Sequence, residues 1–182
     1  RRADHTTAIL RVALSEDPAS LRCARVTRSA RKPVRAPKSA RRHPLDAIFR
    51  PRSVAVVGAS RREGAIGRQV VANILAGGFT GPMFPVNKSA DVVLSMPTWP
   101  SVSKIPRDVD LAVICVPAAD VPKVAKECGE KGVGGLVVIT AGFKEIGAEG
   151  AEREAELMRI ARHYGMRIIG PNCMGIVNND PA

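Results

Sequence analysis

From residue 44 onward the chain alternates short β-branched runs with amphipathic stretches of helix length, and no other feature narrows its possible folds as far. Ser53-Val54-Ala55-Val56-Val57 shows no polar alternation and ends at Gly58. A strand of that kind must be covered on both faces, as strands of parallel sheets are. Next, Ile66, Val70, Val71, Ile74 and Leu75 fall on one helical face, and Gly77-Gly78 ends the helix. Met83-Phe84-Pro85-Val86 reads as a short second strand, placed at an edge by its proline. Residues 109–116 form a third strand stopped by Pro117, and Val121, Val124, Ala125 and Cys128 mark a helix ending before Gly129. Residues 135–140 form a fourth strand, and Ala151, Ala155, Met158 and Ala161 line another helix. Residues 166–169 form a last strand that runs into Gly170-Pro171-Asn172-Cys173. Ahead of all these, Leu45 to Phe49 make a helical turn that Pro51 stops. Strands joined through helices of this length require right-handed crossovers, so the expected fold is α/β with a doubly wound parallel sheet.

The 182 residues suffice for one packed domain, expected over 44–182. The formal charge of +11 belongs to what precedes it: residues 1–43 hold 12 of the 28 Lys and Arg but 3 of the 17 acids, a net of +9. This Arg-, Ala- and Ser-rich tail lacks apolar periodicity beyond Ile9 to Leu14, so it is expected to be a disordered basic extension. Its composition also suits an organelle transit peptide or a basic arm for nucleic acid or membrane. The expected location is cytoplasmic, or an organelle matrix if the tail is a transit peptide. Arg1 is not an initiator Met, so the start of the natural chain is not visible. No apolar run reaches the roughly 18 residues of a membrane span. Cys23, Cys115, Cys128 and Cys173 form no C-x-x-C pair, and His5, His43 and His163 lie far from them in sequence, so neither a metal site nor a disulfide framework is expected. With one Trp, one Tyr and four Phe, the chain lacks stacking platforms for single-stranded nucleic acid.

In a Rossmann-like sheet ligands bind at the carboxyl ends of the strands, and those ends carry the unusual residues. The segment Gly58-Ala59-Ser60-Arg61-Arg62-Glu63-Gly64-Ala65-Ile66-Gly67 is glycine-rich and opens a helix. Glycines let a phosphate approach the backbone, the helix start offers unpaired N–H groups, and Ser60 adds a hydroxyl donor. A Cβ at Gly64 is therefore expected to intrude on the anion or strain the turn. The plainer alternative is a tight turn whose glycines serve packing alone. The G-x5-G-x2-G spacing departs from the G-x-G-x-x-G dinucleotide fingerprint. An NAD site would place Asp or Glu at the end of the second strand, where this chain has Asn87-Lys88. Lysine suits a phosphorylated ribose, as in NADP or coenzyme A, although a single lysine can equally be a solvated surface charge.

Together the stretches SVAVVGAS, PVN, VDLAVICVPA, ECGEKGV, VVITAGFKEIG and YGMRIIGPNCMGIVN resemble the amino-terminal coenzyme A-binding domain of the NDP-forming acyl-CoA synthetases. That family includes ADP-forming acetyl-CoA synthetase and, more distantly, the alpha subunit of succinyl-CoA synthetase. The resemblance covers nearly all of residues 44–182 and none of the tail. It implies that Ser60, Arg61, Arg62 and Glu63 line the CoA phosphates, on the loop whose Gly58, Gly64 and Gly67 are binding candidates in their own right, and that Lys88, beside the further candidate Asn87, meets the ribose phosphate or adenine. Ile139, Thr140 and Ala141 resemble the segment beside the pantetheine arm, Val116 and Pro117 a wall of the same cleft, and Asn172 and Cys173 the turn near the thiol end. The family turns acid, CoA and NTP into acyl-CoA, NDP and phosphate through an acyl phosphate and a phosphohistidine carried by another domain. No residue here is expected to be catalytic, and Cys173 is expected to be structural. The implied partners are ATP-grasp and phosphohistidine-bearing domains or subunits in an oligomeric parent ligase. The same module also occurs fused to a GNAT-type acetyltransferase as a regulatory unit, and an NADP-binding oxidoreductase half is a third reading, weakened by the loop spacing.

Overall fold

A computed structural model describes residues 43–177, which fall within the compact unit Ala40–Ala182. The tail expected over residues 1–43 lies outside the described residues except for His43. Five strands form one parallel sheet: β1 (Val54–Val57), β2 (Met83–Val86), β5 (Leu111–Ile114), β6 (Gly135–Val138) and β7 (Arg167–Ile169). Their order is β2-β1-β5-β6-β7. The chain thus leaves β1 toward β2 on one side and later returns to β5 on the other, which makes the β1/β5 boundary the topological switch point.

Successive residues of each central strand enter opposite cores, as the two-residue period demands. Ala55, Val57, Ala112, Ile114, Leu136 and Val138 pack with Val121, Ala125 and Cys128 of α3 (Val121–Lys131) and with Leu157 and Ala161 of α4 (Ala148–Tyr164). Val54, Val56, Leu111, Val113 and Val137 pack on the other face with Ile48 of α1 (Asp46–Phe49) and Val71 of α2 (Ile66–Ala76). The sheet is therefore wound on both faces, as the all-apolar strands require. Each such fully buried Val or Leu contributes roughly 1.5–3 kcal/mol.

The structure shifts several expected boundaries. The expected α2 stripe is narrower, because Ile66 and Leu75 overhang the sheet at 59% and 50% exposure and Gly67 and Val71 make the contact. On α4 the buried line is Gly150, Leu157 and Ala161, while Ala151 and Ala155 face outward. The polar side chains of Arg153 and Glu154 share the inner face because they bond the loop before the helix. Gly129 does not end α3, which continues to Lys131 and closes on Gly132 at φ +84°. Instead Gly129 is where Tyr164 of α4 crosses: a Cβ there would stand 2.9 Å from the Tyr164 Cβ and nearer still to its ring.

β2 is the edge strand, as its proline predicts, but the connector beyond it adds a short hairpin, β3 (Val92–Val93) and β4 (Met96–Pro97). Trp99 then bridges the outer edge of β2, donating to Pro85 O and accepting from Asn87 N–H, both at 2.9 Å.

Candidate functional site

The carboxyl ends of β1, β2 and β5 surround a cleft of about 540 Å³ at the switch point. Its lining includes Gly58, Ser60, Arg62, Gly64, Gly67, Asn87, Val116 and Pro117, all expected from sequence, together with Cys115, Ala65 and Ile66.

Two glycines build its floor. Gly58 has φ +91°, and a Cβ on it would lie 2.8 Å from Cys115 O. A Cβ on Gly67 would lie 2.7 Å from the Gly58 carbonyl carbon and closer still to its oxygen. The start of α2 is thus pressed directly onto the end of β1. Ala65 caps this helix with extended backbone and no side-chain hydrogen bond, so the first N–H groups of α2 remain available at the cleft. Ser60 accepts the Arg62 N–H at 3.1 Å, which leaves its own hydroxyl hydrogen to donate. Gly64 stands at φ +74°, which is strained for other residues, and a Cβ there meets no protein atom within 4 Å, so what it would crowd is the open cleft.

An adjoining slot of about 270 Å³ shares Gly58, Asn87, Val116 and Pro117 and adds Lys88. Val57, Val86, Val102 and Val124 make its walls apolar, while Ser89, Ser101, Asp120 and Glu127 lie among its polar lining. Pro100, Ser101 and Val102 belong to the connector after β4, and nothing in the local sequence pattern marks them as lining residues. Their wall is fastened to α3 by Glu127, whose carboxylate accepts the Ser103 N–H at 2.7 Å. Partial burial pushes this carboxyl up, but the hydrogen bonds from Ser103, Ser101 and the Val102 backbone outweigh it and hold the group below its ordinary value.

Two of the expected polar residues have their side chains engaged by the protein. Asn87 Nδ2 donates to Ala59 O at 2.6 Å, and Asn87 Oδ1 accepts the N–H groups of Ser89 and Ala90, each at 2.8 Å. Thr140 Oγ1 donates to Val116 O at 2.7 Å. The Asn172 N–H donates to Thr140 O at 3.0 Å, and Cys173 Sγ donates to Val138 O at 3.2 Å. The strand ends are therefore latched in two sets, β2 with β1 and β5 with β6 and β7. Among the described residues the side-chain hydrogen bond that links the two sides at this end is the one from Ser103 N–H to Glu127, beyond the strand ends themselves. At the opposite end Asp110 binds Arg52 through its backbone N–H and Nε at 2.9 and 3.0 Å, and Ser53 Oγ donates to Asp108 O and accepts Asp110 N–H, both at 3.0 Å.

The remaining expected residues stand apart from the cleft lining. Arg61 and Glu63 are exposed on the loop. Ile139 turns into a separate apolar groove on the α1/α2 face with Met174 and Ile176. Cys173 rests against β6. Burial and the nearby Cys173 push the Cys115 thiol up to about 12, so it stays protonated at neutral pH. Neither described histidine stands at the cleft: His43 accepts the Leu45 N–H beside α1, and His163 packs edge-on to Tyr164 at 4.7 Å. No group of three His, Cys, Asp or Glu among the described residues is placed to hold a metal ion, and no described helix is long and apolar enough to cross a membrane.

Comparison with known proteins agrees with this geometry. A family model described as a CoA binding domain matches residues 52–179. An ADP-forming acetate–CoA ligase I of Archaeoglobus fulgidus is 48% identical over 138 residues, covering 76% of this chain and 20% of the ligase. The alpha subunit of ADP-forming acetate–CoA ligase I from Pyrococcus furiosus is 46% identical over 73% of this chain and 30% of the subunit. Among solved structures, the apo form of dinucleotide-forming acetyl-coenzyme A synthetase 1 from Candidatus Korarchaeum cryptofilum superposes with a TM-score of 0.69 at 46% identity, over 72% of this chain and 28% of that one. The chain thus spans between about a fifth and a third of the length of these relatives.

Proposed function

Because this chain belongs to the CoA-binding domain family, we propose that it forms the coenzyme A site of an ADP-forming acid–CoA ligase whose group-transfer steps take place on other domains. The observation that carries this reading is the cradle at the switch point. Gly58 and Gly67 bring uncapped N–H groups of α2 to a cleft that Ser60 and Arg62 also line, and the adjoining slot carries Lys88 where an NAD site would carry an acid. Asn87, the other residue at that position, has both ends of its amide engaged, so the end of β2 offers no carboxylate to the ribose hydroxyls of NAD.

The apolar walls of the slot suit a purine ring, and Lys88 at its lining suits a phosphate on the adjoining ribose. With the nucleotide at the ends of β2 and β1, the rest of an extended ligand has to run across the ends of β5 and β6. There Thr140 N–H and both backbone groups of Ala141 make no hydrogen bond within the described residues, which suits an arm that carries amides.

No described histidine stands at this cleft, so the residues here bind and orient CoA while phosphoryl transfer belongs to partner domains, of ATP-grasp and phosphohistidine-bearing type. The ligase names of the relatives support such a parent over an acetyltransferase. Calorimetry of the 182-residue chain with CoA and with NAD tests the assignment. Tighter binding of CoA is expected, and tighter binding of NAD would overturn it.

A further inference from the structure

Between β6 and α4, one peptide segment is gripped from both sides by charged side chains that do not line the cleft. Gly142, at φ +104°, donates its N–H to Glu145 Oε1 at 2.6 Å, and its carbonyl accepts a hydrogen bond from the Arg153 guanidinium. Arg153 is half a helix away on α4, only 16% exposed, and is itself oriented by Glu149 at 2.7 Å. Its neighbour Glu154 accepts the Lys144 N–H at 3.4 Å. Gly150, in the first turn of α4, lies directly on the Phe143 backbone, where a Cβ would collide. Gly142 in turn abuts Ala118 of the turn after Pro117, where a Cβ on it would come within 2.9 Å of the Ala118 Cβ. The grip therefore fixes the distance between the β6 loop and the wall of the cleft.

Immediately before Gly142 are Thr140 and Ala141, whose hydroxyl and carbonyl latches leave Thr140 N–H and the Ala141 N–H and C=O without partners among the described residues. Charged hydrogen bonds to a backbone group are stronger than neutral ones and hold it in one orientation. A preorganised backbone segment is what an extended amide ligand needs for strand-like pairing, since ordering it on binding would cost affinity.

We propose that Arg153 and Glu145 are positioning residues for the arm of coenzyme A: by holding the C=O and N–H of Gly142 they fix the Thr140–Ala141 backbone that pairs with the amides of that arm. This rests on the coenzyme A reading above, and the test separates the two. The probes are CoA and adenosine 3′,5′-bisphosphate, which keeps the nucleotide end and lacks the arm, titrated calorimetrically into the full 182-residue chain.

The parent chain is expected to bind CoA more tightly than the bisphosphate. Arg153→Ala and Glu145→Ala are each expected to weaken CoA about tenfold, as for one or two lost hydrogen bonds, while the bisphosphate stays within about twofold. Glu145→Gln keeps an acceptor oxygen toward Gly142 and is expected to restore CoA affinity, which a merely destabilising change would not do. Equal loss of both ligands, no loss of either, or a parent that gains nothing from the arm would overturn the proposal. A parent that binds neither ligand would overturn the coenzyme A reading instead. If Arg153→Ala does not fold, the Glu145 pair decides the matter, because that side chain lies on the surface.

Discussion

Replacing Gly67 with alanine tests how the cradle is made. The new Cβ would stand 2.7 Å from the Gly58 carbonyl carbon, whereas carbon atoms rest at about 3.5–4.0 Å. The obstacle is main chain on both sides, so no rotamer change relieves it, and the start of α2 must withdraw by about 1 Å. Overpacking of this kind costs about 1–3 kcal/mol, and the better helix propensity of alanine returns at most about 1 kcal/mol. The net loss, up to about 3 kcal/mol, lowers Tm by up to roughly 10 °C for a domain of this size. Withdrawal also carries the N–H groups of Ile66 and Gly67 away from the anion. Charge-assisted hydrogen bonds of about 1.5–3 kcal/mol are then weakened, so CoA affinity should fall about 10- to 100-fold. Thermal melts and calorimetry on the same samples read both effects. Gly78→Ala is the control for affinity, since it lies outside the cleft lining and its Cβ meets open space: its strain at φ +74° costs about 1–2 kcal/mol and should lower Tm while CoA binding stays unchanged. If Gly67→Ala melts within about 1 °C of the parent and binds CoA equally well, the helix start is not pressed on β1 and the account of the cradle is wrong.

The α3/α4 crossing gives a second expectation: Gly129→Ala should destabilise the fold despite a gain in helix propensity, and Tyr164→Ala should offset part of that loss, so that urea unfolding of the double variant shows non-additivity. Strict additivity would contradict the contact. A third concerns alkaline pH. Burial first, then Cys173 for Cys115 and Glu127 for Cys128, pushes both thiols up to about 12 from an ordinary 9.0. Because the folded state holds these protons more tightly, their contribution is full below about pH 9 and is lost toward pH 12, by up to about 1.4 kcal/mol per pH unit per thiol. Denaturant melts at neutral and alkaline pH should show a smaller loss for Cys128→Ala than for the parent, and an identical loss in both would remove the cause.

The five strands were legible because a parallel strand covered on both faces writes an unbroken β-branched run, and Val54–Val57, Leu111–Ile114 and Gly135–Val138 do so. The β3/β4 hairpin was not. Its strands are two residues long, and its turn holds Leu94 and Ser95 at φ +48° and +64°, positions where Asn-Gly would have given the signal. The inner face of α4 departs from the expected alanine stripe because Arg153 and Glu154 occupy it, and a hydrophobic pattern cannot report side chains that turn inward to bond a loop. At the site, the glycine-rich segment and Lys88 were visible in sequence, but the wall formed by Pro100–Val102 and held by Glu127 was not. It depends on a hydrogen bond between residues 24 positions apart. Asn87 and Thr140 stand out in the sequence as polar residues at strand ends, but that their side chains bond the main chain, Asn87 to Ala59, Ser89 and Ala90 and Thr140 to Val116, depends on contacts no local pattern reports.

The placement of those bonds has a mechanical consequence. Along the β1/β5 boundary the sheet is bolted by side chains at its amino end, Asp110 with Arg52 and Ser53, and at its carboxyl end the ladder bond from Cys115 N–H to Val57 O, at 2.8 Å, spans the same boundary near the cleft. Side-chain bonds therefore brace this boundary at Asp110, whereas at the cleft the spacing of Gly58 and Val116 is set by main-chain pairing and by the close approach of Gly58 to Cys115 O.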